Sequence, residues 1–78
     1  MYVYILQSMK YPARRYVGLT NDLKRRLHEH NSGFSIYTKQ CLPWAIETAL
    51  WFKDAAKAAC FEKYLKSHSG LAFRNKHF

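Results

Sequence analysis

Residues 16–33 restrict the fold more than any other stretch, because a strand pattern passes there directly into a helix whose two ends are both marked. Residues 15–19 have the pattern of a strand, and Thr20 or Asn21 can cap the helix by accepting a hydrogen bond from one of its first amides. Gly33 follows the last turn and suits the left-handed conformation that closes many helices. A strand and a helix joined this closely must share one core.

The rest of the chain contains two more strand patterns and two more helix patterns, which together predict one α+β domain. We expect a strand over residues 1–8, a turn over 10–13, an ordered loop over 34–44, a strand over 45–52, a helix capped by Asp54 and ending near Lys66, a breaker over 67–70 and a short terminal helix over 71–77. The order is ββαβαα, and the short link between the first two strands favours a hairpin. We therefore expect a three-stranded antiparallel sheet packed with helices.

The small size of the chain limits how much apolar surface it can bury. With 78 residues there is room for a single domain, 1–78, and folding at this size buries only about 60% of the surface of the unfolded chain. Six Tyr, five Phe and two Trp compensate, because each aromatic ring buries a large apolar area. We accordingly expect every aromatic side chain to lie in the core.

The excess of basic residues indicates a polyanionic partner. Lys and Arg number 13 against five Asp and Glu, for a formal charge of +8, and the excess is spread along the chain. Nucleic acid fits better than a lipid surface, because no segment joins a broad apolar face to a dense basic one and no apolar run reaches the roughly 18 to 20 residues of a membrane span. Two cysteines, Cys41 and Cys60, and the lack of a secretory leader predict a reduced, cytoplasmic protein.

Charged residues fall on the apolar stripes of both long helices. At about 100° per residue, Arg26 and His30 border the stripe formed by Leu23 and Leu27, and Glu62 lies within the stripe of the second helix. A guanidinium keeps its proton and is costly to bury without a partner. Two explanations are open: an ion pair between Arg26 and Glu62, or a cleft that holds a metal ion on the carboxylate and a phosphate on the guanidinium.

The same residues, in the same order, resemble the GIY-YIG nuclease family. Its two half-motifs correspond to residues 2–4 (YVY) and 16–18 (YVG), and Arg26, His30 and Glu62 follow at the arginine, histidine and glutamate positions of the family. The resemblance covers nearly the whole chain. It is to small single-domain members, which are similar to the nuclease module of the nucleotide excision-repair endonuclease, and it implies one nuclease domain over residues 1–78.

The resemblance implies a metal-dependent endonuclease that hydrolyses phosphodiester bonds, with DNA as the expected substrate and DNA repair or recombination as the expected process. It implies that Glu62 binds one Mg²⁺ or Mn²⁺ ion and that Arg26 holds the scissile phosphate. Tyr4 is the first choice for the general base and Tyr16 the second, and positive charge would have to lower the pKa of the chosen phenol. His30 would relay a proton or contact phosphate. A protein partner would supply the choice of target.

Basic residues elsewhere on the chain are candidates for contacts to the nucleic-acid backbone: Lys39, Lys57, Lys63, Lys66, Arg74 and Lys76. Two other functions are compatible with the sequence. The domain could bind nucleic acid without cutting it, or, with less support, act as a protein-interaction adaptor in which Arg26 and Glu62 form an internal ion pair. Metal-dependent cleavage distinguishes the nuclease from the first alternative, and failure to bind nucleic acid at low salt would favour the second.

Overall fold

The computed structural model describes residues 1–33 and 36–78, in which helices cover both faces of a three-stranded antiparallel sheet. The strands are β1 (Tyr2–Ser8), β2 (Arg15–Thr20) and β3 (Trp44–Trp51), and the helices are α1 (Leu23–Asn31), α2 (Ile36–Lys39), α3 (Ala55–Lys66) and α4 (His68–His77). β1 is central and pairs with both other strands. The expected α+β class and sheet are confirmed, with α2 added to the expected order. None of the helices in the described residues is long and apolar enough to cross a membrane.

The central strand divides the core into two parts, because successive side chains of a strand point to opposite faces. Val3 and Ile5 lie on one face and pack with Ala58 and Leu65 of α3. Tyr4 lies on the other face, where it packs against α1 and against the side chain at the start of β3. All five side chains are buried. The core on the α1 side therefore contains a phenol hydroxyl group that needs hydrogen-bond partners.

The start of α1 differs slightly from the expectation. Its N-cap is Asp22, whose side chain accepts a hydrogen bond from the amide of Arg25 at 3.1 Å. Thr20, one of the two expected caps, instead accepts a hydrogen bond from the Asp22 amide. Threonine, asparagine and aspartate are all good caps, so their order in the sequence does not decide between them. At the other end Gly33 has φ of 78°, and the expected left-handed glycine is confirmed.

The segment before β3 was expected to be a loop, but it contains a helical turn. Of the residues assigned to that loop, Phe34 and Ser35 lie outside the described part of the chain, and 36–39 form α2. β3 begins at Trp44, one residue earlier than expected, and ends at Trp51. The β1–β3 ladder includes Trp44, and the Trp44 side chain belongs to the core on the α1 side.

The two C-terminal helices meet at one residue. Ser67 ends α3 and also caps α4, because its hydroxyl group donates to the Tyr64 carbonyl at 2.6 Å and accepts from the Gly70 amide at 3.0 Å. The expected breaker over 67–70 is therefore the cap and first turn of α4, which starts three residues earlier than expected. Gly70 is required because a Cβ at this position would overlap the Tyr64 carbonyl group.

Among the aromatic side chains that the structure describes, which exclude Phe34 and Tyr37, three contradict the expectation that all of them belong to the core. Trp51 is 63% exposed, Tyr11 49% and Tyr64 41%. Tyr11 lies in the turn between β1 and β2, and Tyr64 lies on α3. Trp51 differs because it belongs to the sheet: it is the last residue of an edge strand, where solvent reaches its side chain.

Candidate active site

Four of the predicted site residues lie together on the α1 face of the sheet. Tyr4 comes from β1 and Tyr16 from β2, while Arg26 and His30 are about one turn apart on α1. The ring centroids of Tyr4 and Tyr16 are 6.3 Å apart, and the His30 ring lies 6.1 Å from the first and 4.8 Å from the second. Strand alternation points both tyrosines toward α1, and the helix adds two polar residues to the same cluster.

The hydroxyl group of Tyr4 is the centre of this cluster. It accepts a hydrogen bond from Nε of Arg26 at 3.3 Å and lies 3.1 Å from Nε2 of His30. Since the Tyr4 oxygen already accepts from the guanidinium, we assign its proton to the hydrogen bond with Nε2. The other ring nitrogen of His30, Nδ1, lies 3.1 Å from Oγ1 of Thr38 and then carries the imidazole proton.

His30 is held in its neutral form. Burial lowers its pKa below the usual value of 6.5, and the positive charge of Arg26 lowers it further, while the charge of Glu29 opposes this in part. The His30 side chain is only 1% exposed. A neutral imidazole whose Nε2 accepts the Tyr4 proton is a base in direct contact with a phenol.

Tyr4 is also neutral, because burial has a larger effect on its pKa than the positive charge beside it. Burial raises the pKa of Tyr4 and outweighs the hydrogen bond and charge of Arg26, which lower it, and the charges of Tyr16 and Glu62 raise it further. The same hydrogen bond is the main cause that raises the pKa of Arg26, which stays charged. Tyr4 therefore needs a proton acceptor before it can act as a base, and His30 is in contact with it.

The glycine of the second half-motif makes room for Tyr4. Gly18 is the neighbour of Tyr4 in the β1–β2 ladder. A Cβ added at Gly18 would overlap the hydroxyl oxygen and ring of Tyr4. Because Tyr4 is buried and bonded to Arg26 and His30, its ring cannot move aside without straining those bonds. The two half-motifs are therefore complementary in shape.

In the described residues, the ion pair that one explanation expected between Arg26 and Glu62 is not formed. Arg26 pairs with Glu29 on the same helix at 3.2 Å, and Glu62 pairs with Lys66 at 2.6 Å. The Lys66 ammonium group also lies 5.8 Å from the centre of the Tyr16 ring, which brings the end of α3 to the β2 side of the cluster. Glu62 thus contributes a carboxylate to the cluster from α3.

Glu62 fits a metal site that water and substrate would complete. Among residues 1–33 and 36–78, no three His, Cys, Asp or Glu side chains gather where they could hold an ion. The Glu62 side chain is 16% exposed, and one of its oxygens binds the Lys66 ammonium group, so the carboxylate is ionised and already pairs with a cation. A single carboxylate suits a hard ion such as Mg²⁺, which keeps most of its water ligands.

The six basic residues expected to contact the nucleic-acid backbone are distributed over three helices and differ in exposure. Lys66 lies at the cluster, against Glu62 and Tyr16. Arg74 is half-buried, and burial together with the charge of Arg15 lowers its pKa. The remaining four are exposed on α2, α3 and α4: Lys39, Lys57, Lys63 and Lys76. Arg74 therefore differs from the others in being partly withdrawn from solvent.

The sequence patterns missed Thr38, which contacts His30, and the hydrogen bonds by which Trp44 and Asn31 support Thr38. Thr38 meets Nδ1 of His30, and its backbone carbonyl accepts a hydrogen bond from the indole N–H of Trp44 at 2.8 Å. The Asn31 side chain bonds both backbone groups of Trp44, at 2.6 and 3.0 Å. The signals in the sequence are general: a buried Trp needs a partner for its N–H, and an Asn at a helix end often bonds backbone. Neither signal identifies the partner.

Comparison with known proteins finds one matching family and a similar curated sequence. The sequence pattern described as the GIY-YIG catalytic domain matches residues 1–76. A curated relative, the "Structure-specific endonuclease subunit SLX1" of Malassezia globosa, is 32% identical over 79 residues, which cover 95% of this chain and 18% of the relative. The chain therefore corresponds to a small part of that protein. No solved structure matches the chain significantly.

Proposed function

The chain belongs to the GIY-YIG nuclease family, and from this premise we propose that it is a divalent-metal-dependent endonuclease that hydrolyses phosphodiester bonds in DNA. The observation that carries the proposal is the hydrogen-bonded cluster of Arg26, Tyr4 and His30, close enough to Glu62 for the carboxylate to affect the pKa of Tyr4. The cluster combines a cation for phosphate, a phenol with a proton acceptor and an acidic ligand, and phosphodiester hydrolysis uses groups of these kinds.

Tyr4 acts in this proposal as the general base, with His30 behind it. As the attacking water gives a proton to the Tyr4 oxygen, the phenol proton passes to Nε2 of His30, so that a separate phenolate need not form. The lowered pKa of His30 keeps Nε2 unprotonated before the reaction, and Thr38 holds the ring by its other nitrogen. Tyr16, whose ring lies 6.3 Å from that of Tyr4, orients water or phosphate.

Arg26 binds the scissile phosphate in the same proposal. Its side chain is 28% exposed, so substrate can reach a guanidinium that Tyr4 and Glu29 orient. A planar guanidinium can hold phosphate by two parallel hydrogen bonds, which a lysine cannot reproduce. Glu62 would hold Mg²⁺ or Mn²⁺ in exchange for Lys66. When bound, the metal ion supplies positive charge that stabilises the phosphoryl oxygens.

We place the activity in DNA repair or recombination in the cytoplasm. The name of the Malassezia globosa relative, a structure-specific endonuclease subunit, supports a nucleic-acid substrate and a protein partner that supplies the choice of target. The free thiols of Cys41 and Cys60 support a reducing compartment. The exposed lysines and Arg74 contact the phosphate backbone, and such contacts predict binding that weakens steeply with salt.

The direct test is cleavage of labelled single-stranded, duplex and branched DNA, and of RNA, in Mg²⁺ or Mn²⁺. Glu62→Gln and Arg26→Lys should each lower the cleavage rate by about a hundredfold or more, while the proteins stay folded. His28→Ala is the matched control, because His28 is exposed on the same helix as Arg26, and it should cut like the wild type. Salt-sensitive binding by a wild-type protein that cuts none of the substrates would identify a binding module instead.

A further inference from the structure

A partly exposed aromatic pair lies outside the catalytic cluster on the same face of the sheet. Trp51 and Tyr2 are neighbours in the β1–β3 ladder, and their ring centroids are 5.1 Å apart at an interplanar angle of 59°. Tyr2 supports one side of the indole, yet Trp51 is still 63% exposed. A large apolar ring is thus held in a defined position while much of its surface stays in water.

The pair lies two residues along the strands from the Tyr4 position of the cluster. Tyr2 and Tyr4 are two residues apart on β1 and point to the same face, with Cα atoms about 7 Å apart. On β3, the residue opposite Tyr4 is Ala49, so the side chain between Trp51 and the cluster is only a methyl group. We therefore expect a nucleotide next to the scissile phosphate to reach the indole.

Cations lie on the β2 side of Tyr2, across the sheet from Trp51. Thr20, the β2 neighbour of Tyr2, lines a surface cavity of about 360 Å³ together with Arg25 and Arg26. Arg26 also belongs to the catalytic cluster, so the cavity, which Glu29 lines as well, lies between the β2 neighbour of Tyr2 and the proposed phosphate-binding residue. A flat apolar ring at the same end of the sheet as guanidinium groups complements a nucleotide, which has a flat base and a negative phosphate.

We propose that Trp51, supported by Tyr2, stacks on an unpaired base beside the scissile phosphate. The proposal rests on the nuclease function proposed above and narrows its substrate to nucleic acid with an unpaired base next to the cleavage site. Bases inside a continuous duplex are stacked on one another and cannot offer a face to the indole. Unpaired bases can be splayed out and stacked on an aromatic side chain.

Fluorescence isolates this contact, because the chain has two tryptophans and Trp44 is only 5% exposed. With EDTA present to prevent cleavage, a short single strand should quench the emission of the wild type but not that of Trp51→Phe, which retains only Trp44. Trp51→Ala should weaken single-strand binding roughly tenfold and duplex binding by less than about twofold. Trp51→Phe should bind nearly as well as the wild type. Tyr11→Ala, 49% exposed at the far end of the sheet, is the matched control.

An abasic position in the oligonucleotide locates the contact. Removal of the base that stacks on Trp51 should abolish the difference in affinity between wild type and Trp51→Ala, while removal of other bases should preserve it. Equal single-strand affinity of these two proteins, without quenching, would overturn the stacking contact and leave the nuclease proposal standing. If Trp51→Ala lost as much affinity for duplex as for single strand, the restriction to unpaired bases would be overturned. Quenching with the expected loss of affinity, in a wild-type protein that cuts nothing, would retain the base contact and overturn catalysis.

Discussion

The hydroxyl group of Tyr4 joins three elements of the structure. It belongs to β1, it contacts Arg26 and His30 of α1, and it lies across Gly18 of β2. A buried hydroxyl group without partners would be costly, and here both of its hydrogen-bonding roles are filled. The position of this single side chain therefore depends on contacts that the strand, the helix and the neighbouring strand each provide.

Gly18→Ala should displace the Tyr4 ring and lower the free energy of unfolding by about 1 to 3 kcal/mol, because a buried side chain must leave its preferred position. Urea unfolding measures this cost. In a Tyr4→Leu background the same change should be neutral or slightly stabilising, since alanine is favoured over glycine within a strand. Equal costs in the two backgrounds would show that the overlap with Tyr4 is not the cause.

The end of an element could be predicted from the sequence where it depends on residues that are close in the chain. Asp54 caps α3 as expected, because its side chain accepts hydrogen bonds from the amides of Ala56 and Lys57. The start of α4 was wrong, since residues 67–70 were interpreted as a breaker, whereas Ser67 caps the helix and Gly70 fits in its first turn against the Tyr64 carbonyl group. A capping residue was sufficient to locate the start of α3. It was not sufficient to locate the junction between α3 and α4.

The candidate site was likewise predicted in part. Periodicity on α1 placed Arg26 and His30 beside the apolar stripe, and the structure brings both to Tyr4. It could not identify Thr38 as the partner of His30, because Thr38 lies in a segment without periodicity. Nor could a propensity for strand formation show that Trp51 is exposed, since exposure at the edge of a sheet depends on which strands are neighbours.

Ser67→Ala should lower the free energy of unfolding by about 1 to 2 kcal/mol, because one hydroxyl group serves the end of α3 and the start of α4. Chemical denaturation measures the loss. Ser67→Asp keeps an acceptor for the Gly70 amide but no donor for Tyr64, and should lose less. Ser69→Ala, exposed within the first turn of α4, should stay within about 0.5 kcal/mol of the wild type. A larger effect at Ser69 than at Ser67 would contradict the shared cap.

Polar groups make up part of the small core of the molecule. His30, Thr38, Ser8 and Thr20 are buried together with the Tyr4 hydroxyl group. A chain of 78 residues has little apolar burial to spare, so the charge state of a buried imidazole can affect the stability of the entire domain. The cluster proposed for catalysis therefore also makes the folded state sensitive to pH.

The melting temperature should fall as the pH drops below about 6.5. Since folding lowers the pKa of His30 from its usual value of 6.5, the unfolded chain binds the proton more readily, and the stabilisation present above this pH is lost as the pH falls toward the pKa of the folded state. Thermal unfolding from about pH 7.5 to 5.5 should show this slope. It should become flatter in His30→Gln and persist in His28→Gln, whose site is exposed. An unchanged slope in His30→Gln would assign the effect to other groups.

The fit of Tyr4 over Gly18 also bears on how domains of this kind diverge. A larger side chain at position 18 costs stability as long as position 4 keeps its ring, and a tyrosine at position 4 fits best opposite a glycine. Descendants of such a chain are therefore expected to change the two positions together. Surveys of genomes that score the two half-motifs jointly would then separate domains that keep the buried phenol from domains that keep only the fold.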